Sequence, residues 1–450
     1  MKKTGVVFFP AFDWAITPTH PEREERLLYT RDQLFEEGIM DFPQIIEYKP
    51  RLATLKDIAR VHFCVPDISA QTTEAHLISA GASLTLADAV LQKEIANGFS
   101  IARPPGHHAK TVVHGNRGFC NINNEAIMVE YVRHQYNLRK VAIVDTDVHH
   151  GDGSQEIFYN DPDVLFISFH QDGRTLYPGS GFIEELGTPR AWGTTINVPL
   201  PPGTTDEGIL YVLDSLVLPL LKDFKPELII NSAGQDNHYT DPLADMCFSS
   251  RGYAQLNDKL KPDLCVLEGG YSVETALPYI NMGILMAMAG IDYSNLREPD
   301  YKPDYSREKP RNMKIIREIV ERQLDNYSRR EYMQAQALEQ KDGKHYAYED
   351  YIYYDTDQIS ENQAVQINLC PDCPGYTLID STGRYRTGSQ KRVFCISIPI
   401  FACAHCQHTA QNLYKEMAGN SAKFELIYLQ DKSADIFAST DAKTKQETFY

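Results

Sequence analysis

VDTDVHHGDG, residues 144–153, places ionisable side chains directly after an apolar run. The run, VAIV at 141–144, predicts a strand that is buried on both faces. Five ionisable residues follow it within eight positions: Asp145, Asp147, His149, His150 and Asp152. Carboxylates packed together away from water cannot all stay ionised unless a cation lies beside them. The stretch therefore predicts a metal site at the end of a strand.

Apolar runs of this kind recur in the first part of the chain and alternate with helical patterns. The runs lie at 5–10, 98–105, 140–147, 164–170, 194–200, 227–234 and 264–270. Helical patterns lie at 80–96, 124–136, 206–223 and 313–324. Strands that are apolar on both faces and separated by helices predict an α/β fold, an open and mostly parallel sheet with helices on both faces.

Chemically reactive residues follow four of the predicted strands. They are His107 and His108, the cluster within 144–153, Asp236, and Tyr271. Ligands of open parallel sheets bind beyond the carboxyl ends of the strands, which meet at one edge. We therefore expect these side chains to converge on a single site.

Three of these residues suit a metal ion. Asp147 and His149 are two positions apart, so at a strand end their side chains point the same way. Asp236, from another strand, can supply a third ligand. Two carboxylates and one imidazole leave a position for water, the pattern of a catalytic rather than a structural zinc site. Zinc lowers the pKa of its bound water to about 7 and polarises a carbonyl group.

The remaining residues suit proton transfer. His107 and His108 each need a partner that fixes the tautomer, and Asp145 and Asp152 are carboxylates left over for that purpose. Tyr271 follows two glycines and can donate its hydroxyl to an oxyanion across the metal.

Motifs along residues 1–325 resemble those of the histone deacetylase superfamily in order and spacing. They are HPEREERL (20–27), RPPGHHA (103–109), GFCNINNEAI (118–127), VDTDVHHGDG (144–153), YPGSG (177–181), SAGQDNHYTDPL (232–243) and LEGGY (267–271). The chain looks most similar to the class II deacetylases and to their bacterial amidohydrolase and acetylpolyamine relatives. The resemblance implies the open α/β sheet that these enzymes share with arginases.

The resemblance also implies a role for each motif residue. The catalytic zinc ligands would be Asp147, His149 and Asp236. His108 would be the general base and acid and His107 an electrostatic helper, paired with Asp152 and Asp145 respectively, and Tyr271 would be the oxyanion donor. The substrate tunnel would involve Gly118, Phe119, Tyr177, Leu243 and, near its foot, Arg26. A monovalent cation such as K⁺ would be bound by Asp145, Asp147, His149, Ser168 and Phe169.

These roles imply a zinc-dependent amidohydrolase that removes acetyl or other acyl groups from N-ε-acyl-lysine in proteins or peptides. Leu243 matches the position of a glutamate in the polyamine-selective vertebrate relative, and leucine favours a substrate with less charge. The polar neighbours Gln235 and Asn237 depart from the usual Phe-Asp-Ala and leave the substrate open. One alternative is a small-molecule deacetylase that acts on an acetylpolyamine or a similar amine. A second is an arginase-like two-metal enzyme, which would need a carboxylate where His238 stands. A third is a non-enzymatic acyl-lysine reader.

Two C-x2-C pairs predict a second metal site near the C-terminus. Its ligands would be Cys370, Cys373, Cys403 and Cys406. Four thiolates make a closed tetrahedral site for structural zinc, and the intervening sequence is typical of a β-hairpin, as in a zinc ribbon. Cys395 is expected to be a core thiol, and His405 and His408 rank below the four cysteines as ligands.

The predicted division is a deacetylase domain at 1–325, a tyrosine- and acid-rich connector at 326–365, and a small β-rich, zinc-ribbon-like module at 366–450. The net charge is −17, and nearly all of it lies in residues 1–292, which argues against nucleic acid binding by the catalytic domain. Neither a signal peptide nor a membrane span is predicted, so we expect a cytoplasmic protein. Its partners would be an acylated lysine or amine and an unknown partner for the C-terminal module.

Overall fold

The computed structural model describes residues 2–299, 301–303, 307–339, 345–420 and 423–450. Its first ten strands are β1 (Thr4–Phe9), β2 (Ile45–Glu47), β3 (Phe63–Cys64), β4 (Asn97–Ala102), β5 (Val112–Val113), β6 (Val141–Asp145), β7 (Val164–Gln171), β8 (Thr195–Leu200), β9 (Leu228–Ala233) and β10 (Leu264–Leu267). Eight of them form one sheet in the order β2-β1-β4-β10-β9-β6-β7-β8, and every neighbouring pair is parallel. β3 pairs with β5.

The helices are α1 (Leu28–Glu36), α2 (Leu55–Ala59), α3 (Ile68–Gln71), α4 (Glu74–Leu91), α5 (Asn124–Gln135), α6 (Asp152–Phe158), α7 (Asp206–Val212), α8 (Leu218–Phe224), α9 (Ser250–Leu260), α10 (Leu277–Ala289), α11 (Pro310–Ser328), α12 (Arg330–Glu339) and α13 (Ala404–Asn420). One π-helical turn, Leu213–Val217, joins α7 to α8. Among the described helices, none combines the length and the apolar character that crossing a bilayer requires.

Residues of β6 alternate between two apolar cores. Ala142 and Val144 belong to a cluster with residues of α1 and α7–α11, whereas Val141 and Ile143 belong to a cluster with α2, α4 and α5. Successive side chains of a strand point to opposite faces, so both faces of the sheet are covered by helices. The predicted fold class is confirmed for the first part of the chain.

A second sheet follows in the C-terminal part. Its strands are β11 (His345–Tyr354), β12 (Ile359–Asn368), β13 (Tyr376–Arg384), β14 (Gln390–Ile398), β15 (Leu426–Asp431), β16 (Ile436–Asp441) and β17 (Glu447–Phe449), which lie in chain order. All neighbours are antiparallel except β14 and β15. α13 connects that parallel pair, because parallel neighbours need a long crossover. The predicted hairpin between the cysteine pairs is β13–β14.

The segment predicted as a connector is largely strand and helix. α11 and α12 occupy residues 310–339 apart from Arg329, and β11 and β12 begin the second sheet, while residues 340–344 lie outside the described residues. The alternation that marks β11 is hard to see in the sequence because tyrosines occupy both faces: Tyr351 is exposed and Tyr354 is buried. β11 and β12 therefore belong to the second sheet, which begins before residue 366.

The second sheet is packed against the first part of the chain. The hydroxyl of Tyr428 on β15 donates a hydrogen bond to the backbone oxygen of Cys64 at 2.7 Å. Nζ of Lys432 lies 2.8 Å from Oε1 of Glu130 on α5, and both side chains are buried. Phe437 of β16 belongs to the apolar cluster that contains α4 and α5. Buried polar and apolar contacts thus join the two sheets.

Candidate active site

Four adjacent strands of the first sheet end at one place. β4, β10, β9 and β6 are neighbours in the strand order. His107 and His108 follow β4, and Tyr271 follows β10. Asp236 follows β9, and Asp147 and His149 follow β6. Because all four strands are parallel, groups that are far apart in sequence meet at a single edge.

The three predicted metal ligands lie together. Nδ1 of His149 is 3.1 Å from Oδ1 of Asp147 and 3.2 Å from Oδ2 of Asp236. One donor atom from each residue lies within 4.8 Å of the other two. The other carboxylate oxygens are oriented by the backbone: the N–H of Gly269 donates to Oδ2 of Asp147 at 2.7 Å, and that of Val148 to Oδ1 of Asp236 at 2.9 Å.

Oδ2 of Asp236 is buried, and no donor among the described residues meets it in hydrogen-bond geometry, although Nδ1 of His149 lies 3.2 Å away. A buried carboxylate oxygen is costly unless something pairs with it, and a cation at this point would do so. The donor set of two carboxylates and one imidazole suits zinc with an open position. The residues present therefore fit a divalent metal ion.

The pKa shifts of the clustered carboxyl and imidazole groups also favour a bound cation. Burial raises the pKa of Asp145 to about 7, although the charge of His107 opposes the shift. Burial, together with the neighbouring carboxylate of Asp147, also raises the pKa of Asp236. Burial disfavours the charged form of His149, but the carboxylates of Asp147 and Asp236 beside Nδ1 outweigh it and raise its pKa to about 10. Ionised carboxylates at this buried place are therefore costly unless positive charge lies beside them, and a bound cation would supply it.

The tandem histidines have separate carboxylate partners. Nδ1 of His107 lies 3.1 Å from Oδ2 of Asp145, and Nδ1 of His108 lies 2.8 Å from Oδ1 of Asp152. Burial and the charge of His107 lower the pKa of His108 to about 3. Burial also disfavours charged His107, but the carboxylates of Asp147 and Asp145 raise its pKa well above the usual value. His108 is consequently the neutral member of the pair, with Nε2 free to accept a proton.

A cavity of about 270 Å³ reaches these groups. It is lined by Pro105, His107, His108, Gly118, Phe119, His149, Leu176, Tyr177, Leu243, Tyr271 and Asp355. The rings of Phe119 and Tyr271 meet edge to face with centroids 5.5 Å apart, and those of His108 and Tyr177 meet likewise at 5.2 Å. The hydroxyl of Tyr271 makes no hydrogen bond to the described residues. The cavity is a small, mainly apolar pocket with reactive groups along its wall.

Of the residues predicted for a substrate tunnel, the cavity is lined by Gly118, Phe119, Tyr177 and Leu243, whereas Arg26, predicted near the foot of the tunnel, is not among the lining residues. Arg26 is fully buried behind Tyr271, with its Cζ 5.0 Å from the ring centroid. Its Nε donates to the backbone oxygen of Gly270 at 2.8 Å, and its Nη2 donates to that of Glu268. Arg26 therefore holds the loop that carries Tyr271.

The residues predicted to bind a monovalent cation lie on adjoining strands. Asp145 and Ser168 are opposite each other across β6 and β7, and Phe169 follows Ser168. The backbone N–H of Asp147 donates to Oδ1 of Asp145 at 3.1 Å, which links this group to the metal ligands. The hydroxyl of Ser168 lies 2.8 Å from Nδ1 of His170.

Two acidic residues that orient the site were not singled out from the sequence. Oε2 of Glu268 accepts hydrogen bonds from the backbone N–H groups of Gly106 and His107 at 2.6 and 3.0 Å. Oδ2 of Asp241 accepts from the N–H of Tyr271 at 2.7 Å. Both acids lie inside motifs quoted above, LEGGY and SAGQDNHYTDPL, so the motifs themselves were the available signal.

Arg117 was also missed. Its Nη1 lies 2.7 Å from both oxygens of Asp152, and Nζ of Lys110 lies 3.6 Å from Oδ2. Burial disfavours the Asp152 carboxylate, but these two cations and the hydrogen bond from His108 lower its pKa well below the usual value. Arg117 immediately precedes the motif at 118–127, and no spacing rule connects it with Asp152.

The four cysteines of the C-terminal module form a second cluster. One sulfur atom from each of Cys370, Cys373, Cys403 and Cys406 lies within 4.8 Å of the others. Cys370 and Cys403 are 3.9 Å apart at sulfur, and the N–H of Gly375 points to Cys373 at 3.3 Å. Four thiols at this spacing fit a tetrahedral zinc ion. Cys395 belongs to a different apolar cluster, and His405 and His408 are exposed.

The comparisons with known proteins identify the family. A sequence model described as the histone deacetylase domain matches residues 66–284. A protein named "Probable deacetylase" from Archaeoglobus fulgidus is 46% identical over 330 residues, which are 67% of this chain and 90% of that protein. The "Polyamine deacetylase HDAC10" of Danio rerio is 38% identical over 205 residues, 44% of this chain and 30% of that protein.

A solved structure agrees with these sequence matches. The crystal structure of the HDA15 HD domain has a TM-score of 0.64 and 26% sequence identity, and the match covers 76% of this chain and 99% of that domain. The match to the family model spans the segments that carry both tandem histidines and all three metal-ligand candidates. The family predicted from the motifs is confirmed: the chain belongs to the histone deacetylase family of hydrolases.

Proposed function

We propose that the protein is a zinc-dependent deacetylase that hydrolyses the amide of N-ε-acyl-lysine in proteins or peptides. The observation that carries this proposal is one small cavity whose wall contains His107, His108, His149 and Tyr271 together. A hydrolase needs a polarised carbonyl, a base for water and a donor for the oxyanion at one point, and these side chains can supply them.

The chain's own residues account for the proton transfers. A zinc ion held by Asp147, His149 and Asp236 would polarise the acyl carbonyl and activate water. His108, whose Nδ1 lies against Asp152, turns Nε2 towards the cavity, takes the proton of the attacking water and then delivers it to the leaving amine. His107 supports developing negative charge, and the hydroxyl of Tyr271 donates to the oxyanion.

The apolar walls favour an acylated lysine. Phe119, Tyr177 and Leu243 offer no charged group to an alkyl chain, and the lysine side chain carries four methylenes that such walls can cover. Leu243 in particular places no carboxylate at the position where a secondary ammonium would be bound by a glutamate. Its backbone is held by Asp241, whose Oδ1 accepts from the N–H of Leu243 at 2.9 Å.

The second candidate is an acetylpolyamine deacetylase. It is favoured by Asp355, a carboxylate on the same cavity, and by the name of the Danio rerio relative. The arginase-like alternative has less support, because His238 is buried with Nε2 3.1 Å from Oε1 of Glu298 and lies outside the three-residue ligand group.

We also propose a structural zinc ion at Cys370, Cys373, Cys403 and Cys406 and a K⁺ ion beside Asp145 and Ser168. The thiol spacing supports the first, and the opposed positions of Asp145 and Ser168 on β6 and β7 support the second.

Acetate release from an acetyl-lysine peptide and from N-acetylputrescine, measured side by side with purified full-length protein, tests the substrate. We expect a higher kcat/KM on the peptide. Preference for N-acetylputrescine would support the second candidate, and no release from either compound, or from longer acyl peptides, would overturn the deacetylase proposal.

A further inference from the structure

The turn between β11 and β12, residues 355–358, reaches the catalytic cavity from the second sheet. Asp355 is one of the residues that line the cavity. The match to the histone deacetylase domain ends at residue 284, so Asp355 lies outside the segment that it covers. The other lining residues all belong to the first part of the chain. The C-terminal module therefore contributes a side chain to the site of its neighbour.

Hydrogen bonds fix this turn against the segment 116–118. Oδ1 of Asp355 accepts from the backbone N–H of Gly118 at 2.9 Å, and Oδ2 of Asp357 accepts from that of Asn116 at 2.6 Å. The hydroxyl of Thr356 donates to Oδ1 of Asn116 at 2.8 Å. Three successive residues of the turn thus hold one short segment of the catalytic domain.

That segment has little freedom of its own. Gly118 and Phe119 both adopt positive φ, +52° and +70°, which is unusual for two adjacent residues. A side chain on Gly118 would collide with the ring of His108, so the backbone lies directly against the catalytic pair. The position of Asp355 relative to His108 is consequently set by a short and constrained path through Gly118.

Only one oxygen of Asp355 is used by the protein. Within the described residues Asp355 makes no ion pair, and Oδ2 makes no hydrogen bond. The side chain is half-buried and shares the cavity with the apolar groups of Phe119, Leu176 and Leu243. A partly desolvated carboxylate with a free oxygen is a strong hydrogen-bond acceptor, and a donor on a bound ligand would stabilise it.

Resting on the proposed function, we propose that Asp355 is a substrate-binding residue and that its free Oδ2 accepts a hydrogen bond from the backbone N–H of the acylated lysine. The four methylenes of the lysine side chain carry no donor, so the backbone amide is the first N–H between the scissile amide and the rest of the peptide. In this way the C-terminal module selects a lysine that is part of a peptide chain.

The test compares two acetyl-lysine peptides that differ only at this amide, which is N–H in one and N-methyl in the other. A hydrogen bond to a charged group changes binding by about ten-fold or more, so wild-type enzyme should prefer the N–H peptide by at least that factor in kcat/KM. This comparison of the two peptides requires only the wild-type enzyme. Equal rates on the two peptides would overturn the proposal.

Asp355→Asn distinguishes the proposed contact with substrate from the hydrogen bond that holds Gly118. The amide oxygen can still accept from Gly118, while its NH₂ group replaces the acceptor that faces the substrate. We expect the variant to lose the preference for the N–H peptide, mainly through KM, and to keep the wild-type melting temperature. Asp357→Asn is the matched control in the same turn and should keep the preference. A preference retained by Asp355→Asn would contradict the assignment.

The outcome can be told apart from failure of the proposed function. If wild-type enzyme deacetylates neither peptide, the proposed function itself fails. If Asp355→Asn slows hydrolysis of N-acetylputrescine and leaves both peptides unchanged, Asp355 binds an ammonium group, and the backbone-amide assignment is wrong.

Discussion

Nζ of Lys432 lies 2.8 Å from Oε1 of Glu130, and only 10% and 3% of the two side chains are exposed. This buried ion pair joins the second sheet to α5 of the catalytic domain. Loss of one partner of a buried pair typically costs about 3–5 kcal/mol, and the lower end applies here because Nη1 of Arg133 stays 3.9 Å from Oε1 of Glu130. We expect Lys432→Met to lower the free energy of unfolding by that order, as measured by urea denaturation.

Lys423→Met is the matched control for this variant. Lys423 lies in the same module, but 60% of its side chain is exposed and its Nζ is 3.7 Å from Oδ2 of Asp380. An exposed pair contributes at most about 1 kcal/mol. If both variants have the same small effect, the interface between the two sheets does not stabilise the protein as the buried pair implies.

The strands of the first sheet were predictable because each is apolar on both faces and is followed by a turn or a polar motif. β2 was not, since three residues are too few for a periodic signal. The site was predictable for a different reason: parallel strands bring their ends together, so residues at those ends converge wherever they stand in the sequence. His107, Asp147 and Asp236 follow that rule.

Asp355 and Arg117 could not be predicted in this way. Asp355 contacts Gly118 across 237 positions, between modules whose packing no local pattern reveals. Arg117 meets Asp152 through the fold of the loop before Gly118. The extent of the second sheet was missed because tyrosines on both faces of β11 hide its alternation. These are long-range contacts, which depend on packing rather than on propensity or motif.

Tyr271→Phe should lower kcat for the acetyl-lysine peptide by about 100-fold or more, because it removes an oxyanion donor. The hydroxyl makes no hydrogen bond to the described residues, so folding and zinc content should be unchanged. Steady-state kinetics and elemental analysis measure the two effects. Tyr332→Phe, at an exposed tyrosine, serves as the control. Near-normal turnover by Tyr271→Phe would refute the oxyanion role.

His149→Ala should remove one of two zinc ions per chain, since the described part of the chain holds two ligand groups and this residue belongs to only one of them. Elemental analysis of the dialysed protein measures the ratio. His134→Ala, at a partly exposed histidine outside both groups, should keep both ions. Unchanged zinc in His149→Ala would count against His149 as a ligand.

Cys373→Ser should remove the other zinc ion and lower the melting temperature, because a closed four-thiolate site contributes its binding free energy to folding. The catalytic zinc should remain, so the metal content falls to the value of the His149→Ala protein. Cys247→Ser, at a half-buried cysteine outside both ligand groups, should leave metal content and melting temperature unchanged. A Cys373→Ser protein with full zinc content would exclude the four-cysteine site.

Arg117→Met should move the acid limb of the kcat/KM profile to higher pH. Arg117 places a positive charge 2.7 Å from Asp152. Burial and the charge of His107 are the main causes that lower the pKa of His108, Asp152 opposes them, and the charge of Arg117 lowers the pKa further. Removing a cation favours the protonated imidazole, so the pKa of His108 rises. The base must be neutral to accept a proton, so activity is lost at a higher pH than in the wild type. Lys110→Met removes a more distant charge, 3.6 Å from Asp152, and should cause a smaller shift in the same direction. An acid limb that stays in place, or moves to lower pH, would show that His108 is not the group whose protonation stops the reaction.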